Sequence, residues 1–227
     1  MELRDARYLV LDESNQEISM KIYVMHKKGL ADRLFRVVDL LMKCRSVSDV
    51  EIITTEEPNV EFCSLEKKLQ VIPADFPRKE VTLKEKSLYY KHYRTFQKIV
   101  EDGSPSIIFE DDVVFDHSNL DAFVDKLSEI PTNWDWVFFG TGCNLSIEGT
   151  GFVENTNRFK SKCTDSMLVH PRAAKNFLND VQSTGAYLPI DWELNYRFLK
   201  LDMNVYWHEP GLVAQGSELG IYKSEIR

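Results

Sequence analysis

In the stretch SPSIIFEDDVVFDHS, residues 104 to 118, three carboxylates (Glu110, Asp111 and Asp112) stand directly behind the apolar residues Ile107, Ile108 and Phe109. Few folds accommodate this pattern. Adjacent anions repel one another, and the end of a buried strand is less well hydrated than an open loop. A strand that ends this way calls for a sheet whose edge opens where positive charge collects. Side chains alternate along a strand, so Glu110 and Asp112 share one side and Asp111 takes the other. Two carboxylates on one side suit a hard divalent cation, Mg2+ or Mn2+, which prefers oxygen ligands and leaves positions open for phosphates. The competing structural reading is a solvated turn whose acids cap the next helix.

The flanking sequence supplies the sheet. MKIYVMH (20–26) reads as a compact apolar strand. It is followed by a helix with Leu30, Leu34, Val37, Val38 and Leu41 on one face, and then by a second strand, DVEIITT. Residues 58–81, with prolines and charges, read as irregular. A helix is expected over 84–101, with Leu88, Phe96, Ile99 and Val100 on its buried stripe, stopped by Gly103 and Pro105 before SIIF. Beyond the acids the pattern predicts a helix near 118–129 and a strand WDWVFFG. Two further strands are expected near 151–155 and 164–169. Helices are expected from HPRAAKNFLNDV and LPIDWELNYRFLKL, and a late strand from MNVYWH. This order predicts an α/β sandwich with a mainly parallel central sheet, in which ligands bind outside the carboxyl ends of the strands. Residues 1–19 read as an amino-terminal extension with no assigned role, and 20–227 as one domain.

Composition narrows the classes. With 227 residues and 43% hydrophobic content the chain can bury a core. A net charge of −8 argues against a nucleic-acid partner. No segment reaches the length of a transmembrane span, and the acidic start MELRDARYLVLDESNQEIS is unlike a signal peptide. Cys44, Cys63, Cys143 and Cys163 lack metal-ligand spacing and read as buried, unbridged thiols in a reducing compartment, so a cytoplasmic location is expected. A basic cluster follows the first strand: His26, Lys27, Lys28, Arg33 and Arg36. A diphosphate placed between this cluster and the cation would contact Arg33, whose planar fork suits phosphate, with Lys28 at the helix start beside it.

Taken in order, KIYVMHKKGLADR with Asp32-Arg33, the helix KSLYYKHYRTFQKIV with Lys91-His92, SIIFEDDVVF, WDWVFFG, SMLVHPRAAKNFL, PIDWELNYRF and the tail PGLVAQGS resemble glycosyltransferase family 25. This is the lipooligosaccharide and collagen galactosyltransferase group, of GT-A (nucleotide-diphospho-sugar transferase) fold. The resemblance runs from residue 20 to about 220, and Lys91 stands where the family usually has serine. It implies a metal-dependent transferase that moves a hexose, galactose or glucose, from a UDP-sugar to a glycan or glycoprotein acceptor with inversion. It places Glu110 and Asp112 on metal and phosphate, and Asp111 on the donor. His208 is the late-strand residue that could add a metal ligand. Asp191, behind Pro189 at a helix start, is the expected general base, with Glu193 as its competitor; helix capping is the structural alternative for Asp191. His92 is expected to serve packing. Two other readings stay open: a nucleotidyltransferase of related fold and a non-catalytic carbohydrate-binding protein.

Overall fold

The computed structural model describes residues 10–11, 17–18, 21–43, 49–54, 60–67, 80–115, 123, 126–157, 160 and 162–223. A seven-stranded sheet organises the chain. In sequence order its strands are β3 (Lys21–Met25), β4 (Asp49–Ile53), β5 (Ser106–Glu110), β7 (Trp136–Phe138), β8 (Gly151–Glu154), β9 (Ser166–Val169) and β10 (Val205–Glu209). Across the sheet they run β4-β3-β5-β9-β7-β10-β8. Outside it, β1 (Val10–Leu11) pairs with β2 (Glu17–Ile18), and β6 (Val113–Val114) pairs with β11 (Ala214–Gln215), both antiparallel.

Strand β3 is parallel to β4 and β5, and β7 is parallel to β10, while β9 lies antiparallel between β5 and β7 and β8 runs antiparallel to β10. The mainly parallel sheet expected from the sequence is present: five strands run one way and only β8 and β9 run against them. One reversal matters for the site. The carboxyl ends of β3, β4, β5, β7 and β10 share one edge, and because β9 is reversed, its beginning joins them there.

Side-chain alternation builds a core on each face. Tyr23, Met25, Ile108, Trp136, Phe138, Met167, Val169, Val205 and Trp207 face one way, and Ile22, Val24, Ile107, Phe109, Val137, Leu168 and Tyr206 the other. The first face is covered by α3 (Leu83–Asp102), α4 (Pro171–Thr184) and α5 (Ile190–Lys200). Phe96 of α3 meets the rings of Trp136 and Phe177 edge-on, each at 5.2 Å. The second face is covered by α1 (Ala31–Lys43) through Val37, Leu40 and Leu41. A capping box between Thr82 and Glu85 starts α3, and Gly103, at φ 69°, ends it before β5.

The expected α/β sandwich is present, with refinements. A short helix, α2 (Val60–Leu65), lies within the stretch read as irregular. Of the helix expected near 118–129, residues 118–122, 124 and 125 lie outside the described residues, and a 3-10 turn covers Leu127–Glu129. The thiols are not buried as expected. Cys63 and Cys143 are exposed and Cys163 is half-buried, while Cys44 lies outside the described residues.

Candidate active site

The acidic strand end meets three other segments. After Glu110 the chain turns through Asp111 and Asp112 into β6, whose pairing with β11 draws the carboxyl-terminal tail back over the site; Gly216 N donates to Asp112 O at 2.7 Å. The start of β9 arrives from the other side, with Glu110 N donating to Asp165 O at 2.8 Å. A Cβ on Gly140, at the end of the WDWVFFG segment, would stand 2.4 Å from both Asp165 carboxylate oxygens, so only glycine leaves that carboxylate its place.

The three clustered carboxylates have different partners. Asp111 is clamped. One oxygen lies 2.7 Å from His26 Nδ1 and accepts from Lys27 N at 3.2 Å, and the other lies 3.7 Å from Arg33 Nη1. It thus ties the end of β5 to the end of β3 rather than facing a ligand. Glu110 accepts from Thr164 Oγ1 at 2.7 Å, and His92 Nε2 is 3.8 Å away, close enough for attraction but too long for a hydrogen bond. Burial works to raise the Glu110 pKa, but His92, Thr164 and Lys91 outweigh it and hold the carboxyl below the usual range. Asp112 is buried, with Oδ1 unpartnered. Its pKa is pushed up to about 6 by burial first and then by the Glu110 charge, with the Ser217 hydroxyl opposing. Asp165, wholly buried with its own Oδ1 unpartnered, is raised well above the ordinary value by burial and then by Glu110 and Asp112.

Glu110 opens into a cleft of about 400 Å3. The start of α5 lines the same cleft with Pro189, Ile190, Asp191 and Trp192. The two acids of this wall also differ. Burial, seconded by the charges of Glu110 and Glu85, raises the Asp191 pKa against the pull of backbone N–H groups. Glu193 turns away from the cleft and is fully used. It accepts from Tyr187 N at 3.1 Å and Leu188 N at 2.8 Å, and from Arg197 Nε at 2.9 Å and Nη2 at 2.5 Å.

The profile of glycosyltransferase family 25 (LPS biosynthesis protein) matches residues 49–192, which span the acidic strand end, β9 and the start of α5. The chain belongs to glycosyltransferase family 25. No curated protein sequence matches it significantly. Among solved structures it is similar to CMP:2-keto-3-deoxy-manno-octonic acid synthetase complexed with CTP, at 10% identity and TM-score 0.46, over 83% of this chain and 88% of that one. It is also similar to a glycosyltransferase involved in glycosylation of the major capsid of PBCV-1, at 10% identity and TM-score 0.46, over 86% and 92% of the two chains. A third similar structure is the glycosyltransferase GlyE of Streptococcus pneumoniae TIGR4, at 11% identity and TM-score 0.41, over 89% of this chain and 47% of that one.

Other residues singled out in this family 25 glycosyltransferase lie away from the cleft. Arg33 is buried, donating to Lys223 O at 2.5 Å with its guanidinium 4.8 Å from the centre of the Tyr222 ring, so it fastens the tail and does not line the cleft. Lys28 is exposed on the turn after β3. His208 stands on β10, three strand steps from β5, on the order of 14 Å at ~4.8 Å per step. Its Nδ1 is 2.8 Å from Pro210 O and its ring packs edge-on against Phe152 at 4.9 Å. The sheet therefore separates His208 from the Glu110–Asp112 end. His92 is wholly buried against Phe96, as expected for packing, yet it also faces Glu110.

Sequence reasoning missed Thr164, Asp165, Gln215 and Ser217. A signal existed for the last two, since they belong to the tail PGLVAQGS, which was matched to the family but assigned no role. Asp165 and Thr164 precede a strand, and a search confined to carboxyl ends passes over them. Among the described residues no helix is long and apolar enough to cross a membrane.

Proposed function

We propose that this family 25 enzyme transfers a hexose from a UDP-sugar to a hydroxyl of a glycan or glycoprotein acceptor, with inversion and with help from a divalent cation. The observation that carries this reading is the buried, unpartnered Asp112 Oδ1 beside Glu110 and Asp165. Neighbouring acids whose charges act on one another, with a carboxylate oxygen lacking a donor, fit a Mn2+ or Mg2+ ion, for which Glu110 and Asp112 would be the ligands and Asp165 would add negative charge nearby. When bound, such a cation supplies charge stabilisation for a diphosphate leaving group.

The protein's own groups supply the rest. Thr164 and His92 hold Glu110 in place, and Ser217 steadies Asp112 from the tail. Asp111 orients the turn by bracing it to β3 and therefore serves the donor site indirectly. At the start of α5, Asp191 is the group to take the proton from the acceptor hydroxyl. Its raised pKa makes it a better base than an ordinary solvated aspartate, and it lines the same cleft as Glu110 on a separate element, as a base acting apart from the leaving group requires. Trp192, in the same wall, offers a ring face for a sugar.

The test is calorimetric titration of UDP-hexoses with and without Mn2+, coupled to release of nucleoside diphosphate when acceptors are added. The expected outcome is donor binding that needs the ion and is lost in Asp112→Asn while the variant stays folded. Donor binding of equal strength without metal, or in Asp112→Asn, would reject the cation assignment. An α-linked product from an α-linked donor would reject inversion.

A further inference from the structure

At the tail side of the cleft, two cysteines twenty residues apart come together with a glutamate. Cys143 Sγ and Cys163 Sγ are 3.1 Å apart, and one ligand atom each from Cys143, Cys163 and Glu218 all fall within 4.8 Å of one another. Three separate segments are held in this arrangement. The turn Gly142–Asn144 presses against the chain before β9 so closely that a Cβ on Gly142 would lie 2.0 Å from Lys162 O. Both cysteines adopt left-handed backbone conformations, φ 57° at Cys143 and 64° at Cys163, which L residues other than glycine adopt only when their surroundings hold them there. Lys162 anchors the second segment through a 2.7 Å ion pair with Glu209, with its ammonium 5.1 Å from the centre of the Trp207 ring. Glu218 is oriented by Cys143 N, which donates to its Oε1 at 2.8 Å.

We propose that Cys143, Cys163 and Glu218 form a second metal site, selective for a soft or borderline divalent cation such as Zn2+ and distinct from the oxygen-only site at Glu110 and Asp112. Two thiolates and one carboxylate match a three-ligand zinc centre with an open position. All three residues line the cleft, so that position faces it and takes a water or an oxygen of whatever occupies the cleft. In a tetrahedral site with metal–sulfur bonds of about 2.3 Å the sulfurs stand roughly 3.8 Å apart. Small side-chain rotations therefore open the pair as the ion enters, and each thiol releases its proton to solvent. Binding would tie the tail to the β7–β8 and β8–β9 connections and stiffen one wall of the cleft.

The probe is Co2+ added to the reduced, metal-free full-length protein, followed by absorption. A thiolate–cobalt site gives a sulfur-to-metal charge-transfer band, whereas Co2+ on carboxylates gives none, so binding at Glu110 and Asp112 does not interfere. The expected result is such a band in the parent protein, displaced by Zn2+, lost in both Cys143→Ser and Cys163→Ser, and needing more Co2+ in Glu218→Gln. Absence of the band, or its persistence in both serine variants, overturns the proposal. So does protein isolated with a Cys143–Cys163 disulfide and no stoichiometric zinc by native mass spectrometry.

Discussion

The acidic end of β5 and the acidic start of α5 both contribute a carboxylate to the cleft and treat their acids alike. At the strand end, Asp111 is saturated by His26, Lys27 N and Arg33, whereas Asp112 keeps an oxygen without a donor. At the helix start, Glu193 is saturated by two backbone N–H groups and Arg197, whereas Asp191 lines the cleft. Each region pairs an acid engaged by the fold with one that the proposed mechanism uses. The lesson is that residue type and proximity in sequence do not distinguish these acids; the partners that each one meets in the fold do. The two regions differ in what the spare acid faces. Asp112 sits among like charges and calls for a cation, while Asp191 stands in a wall with Trp192 and suits proton transfer.

Four experiments probe this division. The largest effect is expected from Glu193→Ala, which leaves Arg197, wholly buried, short of its main counter-charge. Breaking a buried pair typically costs about 3–5 kcal/mol, and the remaining contact with Asp180 keeps the loss near the lower figure. Chemical denaturation measures it; a loss under about 1 kcal/mol would erase the structural half of the comparison. Asp191→Asn should instead leave stability near parental and cut turnover by roughly 100-fold or more, as loss of a general base does, with donor affinity retained. Steady-state kinetics decide that, and near-parental turnover would move the base elsewhere.

A third experiment uses pH. The Asp112 pKa is raised from 3.8 to about 6 in the folded protein, so the folded state holds this proton more tightly than the unfolded chain does. The stability it contributes is present at low pH and is lost as pH rises from about 4 through 6. Thermal melts of metal-free protein should therefore show the parent losing stability relative to Asp112→Asn across that window, with Mn2+ narrowing the gap at neutral pH. Parallel profiles would mean that Asp112 is not under strain from its neighbours. The smallest effect is expected from Arg33→Ala, which removes the contacts with Tyr222 and Lys223 and one attraction to Asp111. A loss of about 1 kcal/mol, with little change in donor affinity, is the outcome for a brace. A tenfold fall in donor affinity without loss of stability would return Arg33 to the diphosphate.

Much of the architecture was legible because local rules govern it. Apolar runs of strand length, a helix between capping residues and a glycine stop, and proline at helix starts all match the observed elements. The triplet at 110–112 and the Pro-x-Asp element were legible because they are compact in sequence. His208 was misplaced for a physical reason: a strand-end histidine has the right chemistry, but strand order puts β9 and β7 between β10 and β5.

The amino-acid sequence by itself determined the α/β class, the family, and the acids available on the two elements, since these follow from periodicity and short motifs. Only the tertiary structure decided which acid of each group is already satisfied, because Asp111 finds its partners just after β3 and on α1, and Glu193 in the turn before α5 and one helical turn along it. Only it brought Asp165 to the site, because β9 runs against its neighbours and presents its beginning where the others present their ends. The same holds for Ser217 and the Cys143–Cys163 pair, which long-range strand pairing and the returning tail carry to the cleft across distances that no local pattern records.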